Sequence, residues 1–236
     1  MHPRFSSRGF AASVAATAAF VFAIAAPAAP AAAQTSQPNL DGVYRVIPSN
    51  AVAAGRKNSG SPSEIKLLPE AAARAKSADL KEDPARMCQP VGPFRMMARE
   101  NNKIEIATTS ASVFILFEDV ARGLLQKVDF NRDHIQSDNP DEAYTWMGDG
   151  IARWDRGTLV VETTGFNDST WLNELGAPHS EALKVIERFR PLADGRFLEV
   201  TVTAEDPKTL AKPYTYTRYF EKTDSEIAED ICEYQE

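Results

Sequence analysis

Cysteine is almost absent: two residues, Cys88 and Cys232, in a chain of 236. They form no C-x-x-C, which argues against a thioredoxin-type redox pair. With His134 and His179 they are too few and too scattered for a structural zinc signature, so no metal is expected. Basic residues are also in deficit, 26 Lys and Arg against 33 Asp and Glu, and they form no patch. Nucleic acid is therefore a poor partner, because phosphate contacts need clustered cations. No G-x-S-x-G elbow is present, and nothing resembles a nucleotide, haem or flavin site, so no cofactor is expected. After the first 33 residues no stretch is apolar enough to span a bilayer, which takes about 20 residues.

What is present begins with a targeting pattern. His2, Arg4 and Arg8 make a basic start, "AASVAATAAFVFAIAA" an apolar core, and "PAAPAAAQ" a small-residue cleavage region. This is the layout of a secretory signal peptide, residues 1–33, with Gln34 as the new first residue. A membrane anchor is the alternative; the apolar run is short and alanine-rich for one. The expected location is periplasmic or secreted. Removing Arg4 and Arg8 leaves 24 basic against 33 acidic residues, a charge of −9 on one domain-sized chain. Export would place Cys88 and Cys232 in an oxidising compartment, where a lone pair usually forms a disulfide; two separate thiols are the alternative.

Residues 34–62 are expected to form an N-terminal arm and a first strand in "LDGVYRVIPS". Residues 63–236 are expected to form an antiparallel barrel domain with a leading helix. "SPSEIKLLPEAAARAKSADLKEDP" is helical in character, with Pro69 suited to a first turn. After Cys88 come short β-branched and aromatic runs: "KIEIAT", "SVFILFEDV" and "LLQKVDF". "GIARWDRGTLVVETTGF" is a hairpin turning at Asp155-Arg156-Gly157, with a three-residue loop expected. A second hairpin turns at Asp194-Gly195; "YTYTRYFEK" and "SEIAEDICEY" supply further strands. Roughly nine or ten short strands and at most two helices define a mainly β chain. The expectation is a single lipocalin-like antiparallel barrel, with a β-sandwich as the alternative.

Strand residues alternate faces. Leu183, Val185, Glu187 and Phe189 therefore share one apolar, inward face, which places a carboxylate inside. Tyr214, Tyr216, Arg218 and Phe220 share another, and Glu162 lies among Thr158, Val160, Thr164 and Phe166. Charges on such faces must be paired or they are costly. A structural Glu187–Arg218 pair is one expectation and a polar cluster in a ligand cavity is the other; a register slip would turn Glu187 outward. His179, in "GAPHSEA", is expected at the barrel rim, either as a proton-transfer group or as a backbone-bonded loop residue. Trp146, Trp171, Tyr214 and Tyr216, with Tyr144, would line an aromatic mouth. His134 is expected to be solvated in its polar loop, and Asp149 to serve a turn.

"WMGDGIARWDRGTLVVETTGFNDSTWLNELGAPHSEALKVIER" resembles the W-x-G-D-S-I-G-R-W-E-G-D-T-L-V-V-D-T-x-G-F-N-D … G-x-P-H-S-E pattern of a large family of secreted, mostly uncharacterised bacterial proteins. "CQPVGPFRMM" and "ICEYQE" match two further segments of that family. The resemblance puts Trp146, Asp149, Arg153, Trp154, Glu162, Phe166, Asn167, Trp171, His179, Glu181, Glu187 and Arg188 on motif positions. It supports the disulfide and brings no reaction. Gly150-Ile151-Ala152 departs from Ser-Ile-Gly, and "FNRDHIQ" blurs the family's D-G-R-x-H-P.

Three functions fit. The first is a cofactor-free lyase, isomerase or hydratase on a small apolar or aromatic molecule. In it His179 transfers protons, Glu187 and Glu162 tune them, and Trp146, Trp171, Tyr214, Tyr216 and Arg218 bind substrate. The second is a periplasmic binding protein for a small apolar ligand. The third is a structural envelope protein.

Overall fold

The computed structural model describes residues 37–52, 55–100, 102–118, 124–135 and 144–228. The leader 1–33 and Cys232 lie outside the described residues, so the export and disulfide expectations are left to experiment. Among the described residues nine strands close on themselves. They are β1 Gly42–Val46, β2 Lys103–Thr108, β3 Ser112–Phe117, β4 Leu124–Phe130, β5 Asp149–Asp155, β6 Thr158–Thr164, β7 Lys184–Leu192, β8 Phe197–Glu205 and β9 Tyr214–Thr223. Strands β1 and β9 pair antiparallel and complete the ring. The mainly β barrel anticipated from strand spacing is the architecture observed, and closure removes the exposed edges that a sandwich would leave.

The barrel departs from a pure antiparallel meander at one junction. Strand β5 runs parallel to β4, with Val128 opposite Gly150. The connection from Asn131 to Gly148 carries the chain back to the end where β4 began, as a parallel pairing demands. "SEIAEDICEY" gives no strand over its described part, residues 225–228. The β5–β6 loop is also tighter than expected. Asp155 pairs with Thr158, so the turn is Arg156-Gly157 alone, both at positive φ (47° and 79°). This is the twist that suits a two-residue hairpin, and Gly157 takes it without a Cβ clash.

Among the described residues two α-helices precede β2: α1 Pro69–Ser77 and α2 Gly92–Met96. Pro69 opens α1, where its missing N–H costs nothing. All five residues of α2 are buried. Phe94 meets Tyr216 of β9 edge-on at 5.2 Å, and the Tyr216 hydroxyl donates to the Phe94 carbonyl. Helix α2 thus packs against the inner wall. Its buried Arg95 makes a two-pronged bond to buried Asp83, 2.7 and 2.6 Å. Beyond the end of β1, Ser59 pairs with Thr217 and takes over the free edge of β9.

Burial alternates along β7 and β8 as the sequence pattern requires; in β9 Tyr216, Arg218 and Phe220 follow it, while Tyr219 is also buried, packed with Ile47. Val185, Phe189, Leu198, Val200, Val202, Phe220 and their neighbours form one core with Phe94, Met96 and Met97 of the α2 segment. Each such side chain contributes about 1.5–3 kcal/mol on burial.

Candidate functional site

Glu187 lies within this core, fully buried on β7 between Val185 and Phe189. Cross-strand pairing sets Val161 of β6 on one side of it and Val202 of β8, then Tyr216 of β9, on the other. Its polar company comes from β4 and β6. Gln126 Nε2 donates to Glu187 Oε2 at 2.8 Å and lies 3.4 Å from Thr163 Oγ1. The other carboxyl oxygen of Glu187, Oε1, and the amide oxygen of Gln126, Oε1, are buried without a partner. Burial pushes the Glu187 pKa up to about 7, against a smaller downward pull from Gln126. Burial, with the nearby Glu187 charge, also drives the Tyr216 phenol well upward.

The Glu187–Arg218 pair does not form. Arg218 faces inward, as alternation requires, but two residues beyond Tyr216. Its guanidinium is held by the carbonyls of Ala98, Ser59, Gly60 and Thr217 and lies 4.8 Å over the Tyr216 ring. Those carbonyls line its end of the strand, so Glu187 keeps no counter-charge.

His179 is also placed differently from the rim expectation. It is 1% exposed. Nδ1 donates to the Ser180 carbonyl at 3.0 Å, so Nε2 is the acceptor for the Thr170 hydroxyl at 2.5 Å. Burial lowers its pKa, and Phe166 meets the ring edge-on. With both nitrogens engaged, the ring fastens its loop, the geometry of a backbone-bonded loop histidine. Neighbouring Ser180 is bound through its N–H and its hydroxyl to Asp206, a partner that sequence gave no reason to choose. Glu181 is exposed.

Glu162 faces out. It pairs with Ile186, one residue out of phase with Glu187, so β6 and β7 put the two carboxylates on opposite sides of the wall. The two carboxylates of the acid–base reading therefore do not face each other. The aromatic mouth does not assemble by ring contact among the described residues. Tyr216 is inside, Tyr144 is exposed, and Tyr214 is tied between the Ser61 N–H and Glu64. Trp146 and Trp171 are half-buried loop residues, with Trp171 bridged to Pro178.

Glu162 instead joins a group that sequence analysis passed over. Arg132 grips Asp149 through Nη1 and Nη2, and Asp149 also accepts from the Ile135 N–H. His134 Nδ1 lies 3.2 Å from Asp149, and its Nε2 lies 3.8 Å from Glu162. Burial raises the Asp149 pKa, but Arg132 and the Ile135 N–H outweigh it and hold the carboxyl below its ordinary value. His134 is thus a partnered, half-buried residue, and Asp149 opens β5 as an ion-pair centre rather than a turn former. No local pattern pairs Arg132 and His134 with Asp149, 17 and 15 residues further on.

No protein-family model and no curated protein matches the chain. Among solved structures, it is similar to a "REP1-NXSQ fatty acid transporter" at 10% identity and a TM-score of 0.41, over 79% of this chain and 98% of that one. It is also similar to a secretary abundant heat soluble (SAHS) protein from Ramazzottius varieornatus at 11% identity and a TM-score of 0.33, over 70% of this chain and 98% of the other. At that distance neither likeness identifies a ligand.

Proposed function

We propose that this chain is an exported binding protein, periplasmic or secreted, for a small and largely apolar molecule carrying one hydrogen-bonding group. It keeps with this reading that the chain belongs to the bacterial family its motifs resemble. The observation that carries the proposal is the pair of unpartnered oxygens on Glu187 and Gln126, buried in an apolar barrel. Leaving a buried polar atom without a partner costs about 1–3 kcal/mol, so such atoms call for an occupant. A protonated Glu187 presents a donor and Gln126 presents an acceptor. Together they suit a hydroxyl, an amide or an undissociated carboxyl, and the surrounding valines, Phe189 and Tyr216 suit an apolar body.

The test is titration of the full chain with 1-aminoanthracene, an apolar fluorophore with one amine. Wild type is expected to bind it saturably. The double substitution Gln126→Leu with Glu187→Leu removes both orphaned oxygens, and replacing both partners by apolar groups is close to neutral for stability. It is expected to keep the melting temperature at or above that of wild type and to weaken binding at least about tenfold, near 1.4 kcal/mol. Equal binding by both proteins, or no binding by wild type, removes the proposal and leaves the structural reading.

A further inference from the structure

A second site follows from Arg218. This side chain is 6% exposed, and a guanidinium cannot shed its charge inside a protein. A buried charge needs an opposite charge or full coordination. Arg218 has no carboxylate partner among the described residues; its bonds run to four backbone carbonyls, which supply dipoles and no charge. Those bonds use Nε and Nη1 and leave Nη2 without a protein acceptor. Arg218 lines a cleft of about 350 Å³ together with Ser61, Arg95 and Arg99. The Arg95 charge is matched by Asp83, which leaves Arg218 as the buried cation of the cleft without an ion-pair partner among the described residues. Glu100 and Glu174 line the cleft too; both are exposed, where water screens them.

We propose that this cleft binds a small oxyanion, a carboxylate or a phosphate, with Arg218 as its fixed cation. The guanidinium is oriented before any ligand arrives, because the carbonyls and the Tyr216 ring fix its plane. A planar fork held in this way donates to an oxyanion with little further loss of rotamer freedom. The site does not depend on the Glu187–Gln126 pair, and each proposal can fail without the other.

Isothermal titration of the full chain with inorganic phosphate, and separately with acetate, at constant ionic strength tests it. One of the two is expected to bind with a dissociation constant below about 1 mM, and the better one names the anion class. Arg218→Lys keeps the charge but loses the fork, and is expected to weaken binding about tenfold. Glu174→Gln, an exposed change, removes a rim charge and is expected to strengthen binding about twofold. If wild type binds neither anion, or if Arg218→Lys binds as tightly as wild type, the proposal is overturned. Should Arg218→Lys not fold, an unchanged affinity in Glu174→Gln overturns it instead.

Discussion

Glu187 shows how a single residue can set a pH dependence for the whole fold. Its pKa stands at about 7 in the folded chain against an ordinary value of 4.5. A carboxyl raised in this way adds nothing unfavourable while both states are protonated. As pH rises above about 4.5 the unfolded chain ionises first, and folding loses stability until the folded-state pKa near 7 is passed. The loss is about 3 kcal/mol at roughly 1.4 kcal/mol per pH unit. Urea unfolding between pH 5 and 8 is expected to show it, and Glu187→Gln to flatten that part of the curve. A wild-type profile that does not fall in this window would mean that the carboxyl is not held as the structure has it. His179 marks the contrast at the same scale. It is buried too, but both of its nitrogens have partners, and they fasten its loop.

At the scale of elements, α2 is the part that sequence left unassigned. "GPFRM" is five residues long, too short for helical periodicity to register, and it begins with Gly92 at positive φ. Packing holds it: Phe94 and Met96 are in the core, and Arg95 is anchored to Asp83. Removing one partner of a buried ion pair strands the other and costs about 3–5 kcal/mol. Asp83→Asn is therefore expected to lower stability by that order in chemical denaturation, whereas exposed Asp79→Asn should change little. Equal effects from the two would show that the Asp83–Arg95 bond does not hold α2 in place. The β4–β5 junction is set at the same scale. Gly148, at φ +71°, has no room for a side chain: a Cβ there would lie 2.6 Å from Thr163 Cγ2. The conformation the chain takes as it enters β5 therefore requires glycine.

For the whole molecule, closure is the organising fact. Strand β1 pairs with both β2 and β9, so the first strand in sequence seals the last. Cys88 precedes α2, and Cys232 follows β9 outside the described residues. If the two are joined, as export implies, the bridge encloses nearly all of the barrel and stabilises it by restricting the unfolded chain, by about 5 kcal/mol in the ideal case. Thiol titration of the denatured, unreduced chain is expected to find no reactive group, and to find two after reduction. Two groups before reduction would show separate thiols.

Alternation by itself determined which residues of β7 and β9 face inward: Val185, Glu187, Phe189, Tyr216, Arg218 and Phe220 are where a period of two puts them. The strand count and the hairpin positions were equally legible, because β-branched runs and Gly turns are local signals. What only the tertiary structure decided is which of those residues meet. The period of a strand fixes its face but not its register against strands far away in sequence. Glu187 was therefore placed indoors correctly and given the wrong partner. Gln126, 61 residues earlier, became its neighbour through barrel closure and the β4–β5 crossover. Arg218 was drawn instead to carbonyls of a strap more than a hundred residues away. Buried polar groups are matched by proximity in space, and no local pattern encodes that proximity.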